Sequence, residues 1–255
     1  MIWSAHLSML FRELPYLERP RAAARAGFTH VETWWPPDGL ADLWADEVAT
    51  HALNVSSINA YGGDLDAGER GFLNDPERRS DVLNGFHEAL ALAQRCSAPR
   101  INVLVGREIR GKPRVMQLAE AAAALAECAA LADDVGVTVL VEPINELDIP
   151  GYLVPTPAAA LQLIDAVDSQ NVRLLYDTYH AARAGLDPCR DVVPLVHAID
   201  HVQYADCPGR GAPGSGMIDL PAFVRALEVA GYDGSIGLEF DPRGPTTEAL
   251  GFLDW

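Results

Sequence analysis

Short β-rich runs alternate with longer alanine-rich stretches from the first residues almost to the last. Strand-like runs fall at Ile2 to Ser8, His30 to Trp35, Asn54 to Ala60, Arg100 to Gly106, Val137 to Ile144, Val172 to Tyr179, Ile199 to Asp206 and Ser235 to Phe240. Between them, segments such as DPERRSDVLNGFHEALALAQ, RVMQLAEAAAALAECAALADD and LPAFVRALEVAG carry apolar residues at three- and four-residue spacing, as amphipathic helices do. Strands separated by helical crossovers predict a parallel sheet. Eight of them in 255 residues fit a single-domain α/β chain, a (β/α)8 TIM barrel over residues 1–255. An open doubly wound sheet is the alternative, but no glycine-rich fingerprint follows the first strand. Only fifteen residues follow the eighth run, so the final helix is expected to be short or incomplete. Leu250, Phe252, Leu253 and Trp255 would then be exposed, and a homo-oligomer, dimer or larger, is expected to cover them.

Composition narrows the partners. With 49% hydrophobic, 22% charged and 7% aromatic residues, the chain is neither disordered nor disulfide-built. Its 36 acidic and 19 basic residues give a formal charge of −17, a field that repels nucleic acid and anionic lipid. No apolar run approaches the length needed to cross a bilayer, and the opening residues lack a basic region followed by an apolar one. No nucleic acid, no membrane and a cytoplasmic location are the expectations. Cys96, Cys128, Cys189 and Cys207 form no CxxC pair and read as reduced thiols.

In a barrel of this kind the site lies where the strands end. Alternation points Thr138, Leu140 and Glu142 of the fifth strand into the barrel and Val137, Val139 and Val141 toward the helices. By the same rule Leu175 and Asp177 face inward from the sixth, His201 and Gln203 from the seventh, and Gly237 and Glu239 from the eighth. Four consecutive strands thus aim an oxygen-bearing side chain at one place. Three carboxylates in a partly dry pocket cannot all stay ionised without a compensating cation or protons. Glu142, Asp177, Gln203 and Glu239 form an all-oxygen set that suits a hard divalent ion, Mg2+ or Mn2+. Any one of these acids alone would read equally well as a helix cap or an ion-pair partner.

Further candidates ring that core. His180, three residues beyond Asp177, is placed to contact a substrate oxygen or carry a proton, or else to cap a helix. His6, Glu32, Trp34 and Asn59 on the first three strands are either substrate contacts or satisfied core polar groups. Arg210, in the loop CPGRGAPGSG, is placed to close over an anionic ligand or to sit exposed, and Glu69 and Arg70 in GGDLDAGERG carry the same two readings.

The same segments resemble the hydroxypyruvate isomerase family of the xylose-isomerase-like (β/α)8 superfamily. The likeness rests on SAHLSMLF, GFTHVE, GGDLDAGERG, INVLVG, VEPIN with DIPGY, YDTYH, HVQYADCPGR with PGSG, and GLEFDPRG. It implies metal ligation by Glu142, Asp177, Gln203 and Glu239, with Glu142 and Glu239 also moving protons. Sugar 3-epimerases of the superfamily carry histidine where Gln203 stands, which favours the isomerase branch. The chain departs from the family pattern at His6, where asparagine is expected, at Leu65, where tryptophan is, and at Gly211, Ala212 and Met217 in the loop after strand seven. The activity implied is interconversion of hydroxypyruvate and tartronate semialdehyde, a small hydroxy-keto acid pair, through an enediol. A 2-oxo-tetronate isomerase, a ketose 3-epimerase and a sugar-acid-binding protein without turnover are the alternatives. A related abasic-site endonuclease would want several zinc-binding histidines and a basic groove, which seven scattered histidines and a charge of −17 do not supply.

Overall fold

A computed structural model of the protein describes residues 1–253. All eight predicted strands form, as β1 (Ile2–His6), β2 (His30–Thr33), β3 (Asn54–Asn59), β4 (Arg100–Val103), β5 (Thr138–Val141), β6 (Val172–Asp177), β7 (Ile199–Tyr204) and β8 (Ser235–Leu238). They are parallel and close in sequence order, with β8 returning to pair with β1 through Ser4 and Gly237. The crossovers carry α1 (Arg19–Arg25), α2 (Ala41–Thr50), α3 (Arg79–Cys96), α4 (Arg114–Asp133), α5 (Pro157–Val167), α6 (Thr178–Arg183), α7 (Pro188–Asp191) and α8 (Leu220–Val229). Two of these starts show why the sequence turns there: Thr156 and Asp219 accept hydrogen bonds from Ala159 N and Ala222 N, each just before a helix whose first turn contains proline.

Helix α4 is long and apolar enough to cross a membrane by length and composition alone. It lies instead in the ring of the barrel, with Ala121, Leu125, Cys128 and Ala132 buried on its inner face. The strand alternation holds throughout the second half. Val139, Val141, Leu174, Tyr176, Val202, Tyr204, Ile236 and Leu238 join the apolar layer under the helices, whereas Leu140 and Leu175 are equally buried but stand apart from it, facing inward.

The interior is more polar than a layered barrel core of branched aliphatics. The Glu32 carboxylate crosses from β2 to β7, where His201 Nε2 lies 2.6 Å away and Gln203 Nε2 donates at 2.9 Å. Ser56 Oγ adds a contact at 3.2 Å and touches Ser4 Oγ at 2.5 Å. Burial alone would raise the Glu32 pKa, but His201 and these hydrogen bonds outweigh it and hold the carboxyl below its usual range. Glu32 and His201 are therefore satisfied core groups, one layer beneath Gln203. Gly237 makes room for them, because a Cβ there would run into the Glu32 carboxylate.

Among the described residues after β8 one 3-10 turn forms, Thr246–Leu250, in place of a final helix. The expectation of an exposed apolar tail is corrected here. Leu250 and Leu253 are buried, and the Phe252 ring stands edge-on to Trp3 and Phe240, with centroids 6.2 and 6.3 Å away. Thr246 is tied back to the start of the chain, since its Oγ1 accepts from Phe11 N at 2.6 Å and its N donates to Glu13 at 2.9 Å. The tail covers the barrel itself, so the reason given for self-association goes with it. Trp255 lies outside the described residues.

The Gly237 contact gives a stability prediction. Gly237→Ala should destabilise the fold by roughly 1–3 kcal/mol through overpacking against Glu32, lowering Tm by about 2–4 °C per kcal/mol in a chain of this length. An unchanged thermal unfolding curve would contradict the packed interior described above.

Candidate active site

Of the four side chains aimed by β5 to β8, Glu142, Asp177 and Glu239 come together at the C-terminal mouth of the barrel, and Gln203 is held by Glu32. Glu142 follows β5, Asp177 closes β6, Gln203 lies in β7 and Glu239 follows β8, and all are at most 5% exposed. Glu142 Oε2 accepts from Asn102 Nδ2 at 2.8 Å, and Glu239 Oε1 accepts from Trp34 Nε1 at 2.8 Å. Asp177 does two things at once. Its Oδ1 caps α6, accepting from Tyr179 N at 2.6 Å and His180 N at 3.1 Å, while its Oδ2 is buried without a hydrogen-bond partner. Gln203 is divided in the same way: its Nε2 is held by Glu32, and its Oε1 is buried and unpartnered. Glu239 Oε2 also lacks a hydrogen bond. Asp177 Oδ2 and Gln203 Oε1 are therefore buried oxygens without a hydrogen bond, and Glu239 Oε2 is met only by the Arg210 charge, an arrangement an interior does not tolerate unless something positive comes to meet it.

His180 joins this cluster. Ligand-type atoms of Glu142, Asp177 and His180 lie within 4.8 Å of one another. Asn145 Nδ2 donates to His180 Nδ1 at 2.7 Å, which leaves the Nε2–H facing Glu142 Oε1 at 3.7 Å. In that tautomer His180 is a donor beside the carboxylates and not a ligand. Burial, reinforced by the Arg210 charge, pushes its pKa well below the ordinary histidine range, so the ring is neutral.

The positive charge that is present comes from Arg210. Its Nη2 lies 3.1 Å from Glu239 Oε2 and 3.8 Å from Asp177 Oδ2, and its guanidinium carbon stands 5.3 Å from the Tyr179 ring centre. The loop that delivers it is firmly built. Asp206 Oδ1 accepts from Cys207 N and Ile218 N, and its Oδ2 from Gly214 N and Gly216 N, all between 2.8 and 3.0 Å. The Arg210 carbonyl in turn accepts from Asp241 N at 2.7 Å. Burial opposes the guanidinium charge, but Glu239, Asp177 and Glu142 outweigh it and raise its pKa further. One cation does not neutralise three acids. Burial first, then the charges of Glu239 and Asp177, push Glu142 well above the carboxylate range, and burial pushes Asp177 up to about 7 against the pull of Arg210.

A cavity of about 340 Å3 opens over this cluster, lined by Glu142, His180, Arg210 and Glu239 with Trp34 and Asn59 opposite. Of the weaker sequence candidates, Asn59 and Arg70 reach it. His6 is fully buried behind it, 3.6 Å from Glu239 Oε1 and edge-on to Trp34, so it supports those two side chains. Glu69 does not reach the cavity, because its carboxylate accepts from Asp64 N at 2.8 Å and pairs with Arg78 at 3.2 Å. Sequence reasoning missed Asn102, Asn145 and Asp206. Asn102 shares the inward alternation of β4 and was open to the same reading, whereas Asn145 and Asp206 act in loops where no period applies.

Comparison with known proteins agrees with this architecture. Residues 20–254 match the family model described as Xylose isomerase-like TIM barrel, and the chain belongs to that family. Within it, the hydroxypyruvate isomerase of Escherichia coli is 33% identical over 99% of this chain and 98% of its own length. The 2-oxo-tetronate isomerase of Cupriavidus necator is 33% identical over 98% of this chain and 96% of its own. A solved structure from Brucella melitensis described as an AP endonuclease, family 2, superposes with a TM-score of 0.94 at 34% identity, covering 99% of this chain and 98% of that one. With isomerases aligned over nearly its whole length, the chain is an enzyme of the isomerase class.

The Asp206 anchor yields a test of the loop. Asp206→Ala strips the acceptor from four backbone N–H groups and should make the segment 207–218 the first site of limited proteolysis. Wild-type resistance in the variant would show that the loop is held by something else.

Proposed function

We propose that this isomerase interconverts hydroxypyruvate and tartronate semialdehyde, moving a proton between adjacent carbons through an enediol. The observation that carries the reading is the pairing of Glu142 and Glu239, two buried carboxylates from separate strands lining one cavity. One removes a proton from the hydroxymethyl carbon, and the other delivers a proton to the former carbonyl carbon. The hydroxyl proton passes between the two oxygens by way of the neutral His180 or a water, so the product is an isomer with nothing gained or lost. A carboxylate placed to act as general base contributes roughly 10²- to 10⁴-fold.

Glu142, Asp177, Gln203 and Glu239 would hold a divalent cation, Mg2+ or Mn2+, and the unpartnered oxygens of Asp177 and Gln203 support that assignment. Such an ion supplies charge stabilisation for the developing enediolate. Around it, Asn102 fixes the Glu142 carboxylate and Trp34 that of Glu239. Asn145 sets the His180 tautomer. A 2-oxo-tetronate is the second reading, favoured by the Cupriavidus relative and by a cavity roomy enough for a fourth carbon. A charge of −17 and a single histidine among the clustered groups favour a small-molecule substrate over nucleic acid. Four free cysteines suit a reducing compartment, and we place the enzyme in the cytoplasm.

Glu142→Gln and Glu239→Gln, assayed with Mn2+ occupancy measured alongside, should each lose roughly 10²- to 10⁴-fold in kcat. Near wild-type turnover in both would remove the carboxylates from these roles. Independently of activity, dialysis against a chelator should lower Tm, and Mn2+ near a hundred times its Kd should restore roughly 5–10 °C. A Tm that responds to neither treatment would speak against the cation.

A further inference from the structure

The loop between β3 and α3 carries GGDLDAGERG, which the chemistry above does not use and whose Arg70 lines the cavity. This loop is built to hold that residue in place. Glu69 N donates to Asp64 O at 2.9 Å, Asp64 N donates to Glu69 Oε2 at 2.8 Å, and Gly71 N donates to Gly62 O at 2.8 Å. Gly71 and Phe72 then bridge to Val105 and Gly106 just beyond β4. That docking requires glycine, because Gly71 has φ +89° and a Cβ there would run into the Leu104 carbonyl oxygen.

The loop therefore fixes Arg70 at the edge of the cavity that Glu142, His180 and Glu239 line. Its Nη1 is anchored by the carbonyls of Leu65 at 2.7 Å and Glu69 at 2.6 Å. Among the described residues the rest of the guanidinium has no hydrogen-bond partner and no carboxylate within ion-pair distance, although Asp66 on the same cavity wall lies near enough to favour its charge. Arg12, beyond β1, lines the same cavity and is likewise without an ion pair among them. Arg210, by contrast, is taken up by Glu239 and Asp177. In a chain with 36 acids to 19 bases, two guanidiniums without a direct ion pair stand on the wall of a cavity whose floor is carboxylate, beside Asp66 and beside Asp148, which is itself paired with Arg183. An anionic group on the substrate is repelled by that floor and attracted by that wall.

We propose that Arg70, with Arg12 on the same cavity wall, binds the substrate carboxylate and so selects a hydroxy-keto acid over the neutral sugar of equal length. This rests on the reading of the site as a sugar-acid isomerase. The carboxylate lies toward Arg70 while the two reacting carbons lie between Glu142 and Glu239. Arg70 acts on binding and orientation, not on the proton transfers.

The test compares wild type, Arg70→Met and Arg70→Lys on hydroxypyruvate and on dihydroxyacetone, in which a hydroxymethyl group replaces the carboxylate. Arg70→Met should raise KM for hydroxypyruvate roughly 10- to 100-fold, the range of a charged hydrogen-bond pair, with kcat changed less than about threefold. Its rate on dihydroxyacetone should be unchanged, and Arg70→Lys should recover part of the KM. An equal loss on both substrates, or an unchanged KM for hydroxypyruvate, would overturn the assignment. Thermal protection by tartronate, a carboxylate that is not turned over, separates this from the activity itself. Protection of wild type but not of Arg70→Met sustains the carboxylate site even if no substrate reacts, in which case the isomerase reading fails alone. Equal protection of both would overturn the Arg70 role.

Discussion

Three carboxylates are buried at one end of a barrel where, among the described residues, Arg210 is the one arginine or lysine that forms ion pairs with them, and the surrounding structure answers to that constraint. Asn102 and Trp34 each spend a donor on one oxygen of Glu142 and Glu239, and the first turn of α6 spends two on Asp177. Arg210 is brought in on a loop that Asp206 staples with four backbone hydrogen bonds. The remaining imbalance appears as Glu142 and Asp177 carboxyls displaced upward by burial and by one another's neighbours. Such tension is costly to a fold, and carboxyls displaced in this way are common at catalytic sites.

The layer beneath the site serves the same end. A buried glutamate in a barrel interior would ordinarily be a liability, yet Glu32 is met by His201, Gln203 and Ser56. By engaging the amide nitrogen of Gln203, it leaves the amide oxygen without a hydrogen bond. The identity of Gly237 follows from the same contact, since there is no space for a side chain above Glu32. Site, second layer and strand register are thus a single packing problem.

Much of this was legible in the chain because parallel barrel strands have a strict period of two. One choice of phase in VTVLVEPIN sends the valines to the helices and Glu142 to the mouth, and the same choice in strands six to eight collects Asp177, Gln203 and Glu239. The first half of the barrel was less clear. Glu32, His6 and Asn59 all sit at inward positions, and only the distances show that Glu32 serves the core, His6 backs Glu239 and Asn59 faces the cavity. An aspartate before a helix reads as a cap or as a ligand but not as both, so the divided role of Asp177 was hidden. The covered tail was hidden for another reason: Phe252 finds Trp3 from the opposite end of the chain, a contact with no local pattern.

The central claim is that one divalent cation completes this cluster, and diffraction from Mn2+-soaked crystals at the manganese absorption edge tests it most directly. A single strong anomalous peak is expected within bonding distance of Glu142, Asp177, Gln203 and Glu239, with Arg210 no longer between Asp177 and Glu239. A peak elsewhere on the chain, or none at full Mn2+ saturation, would contradict it.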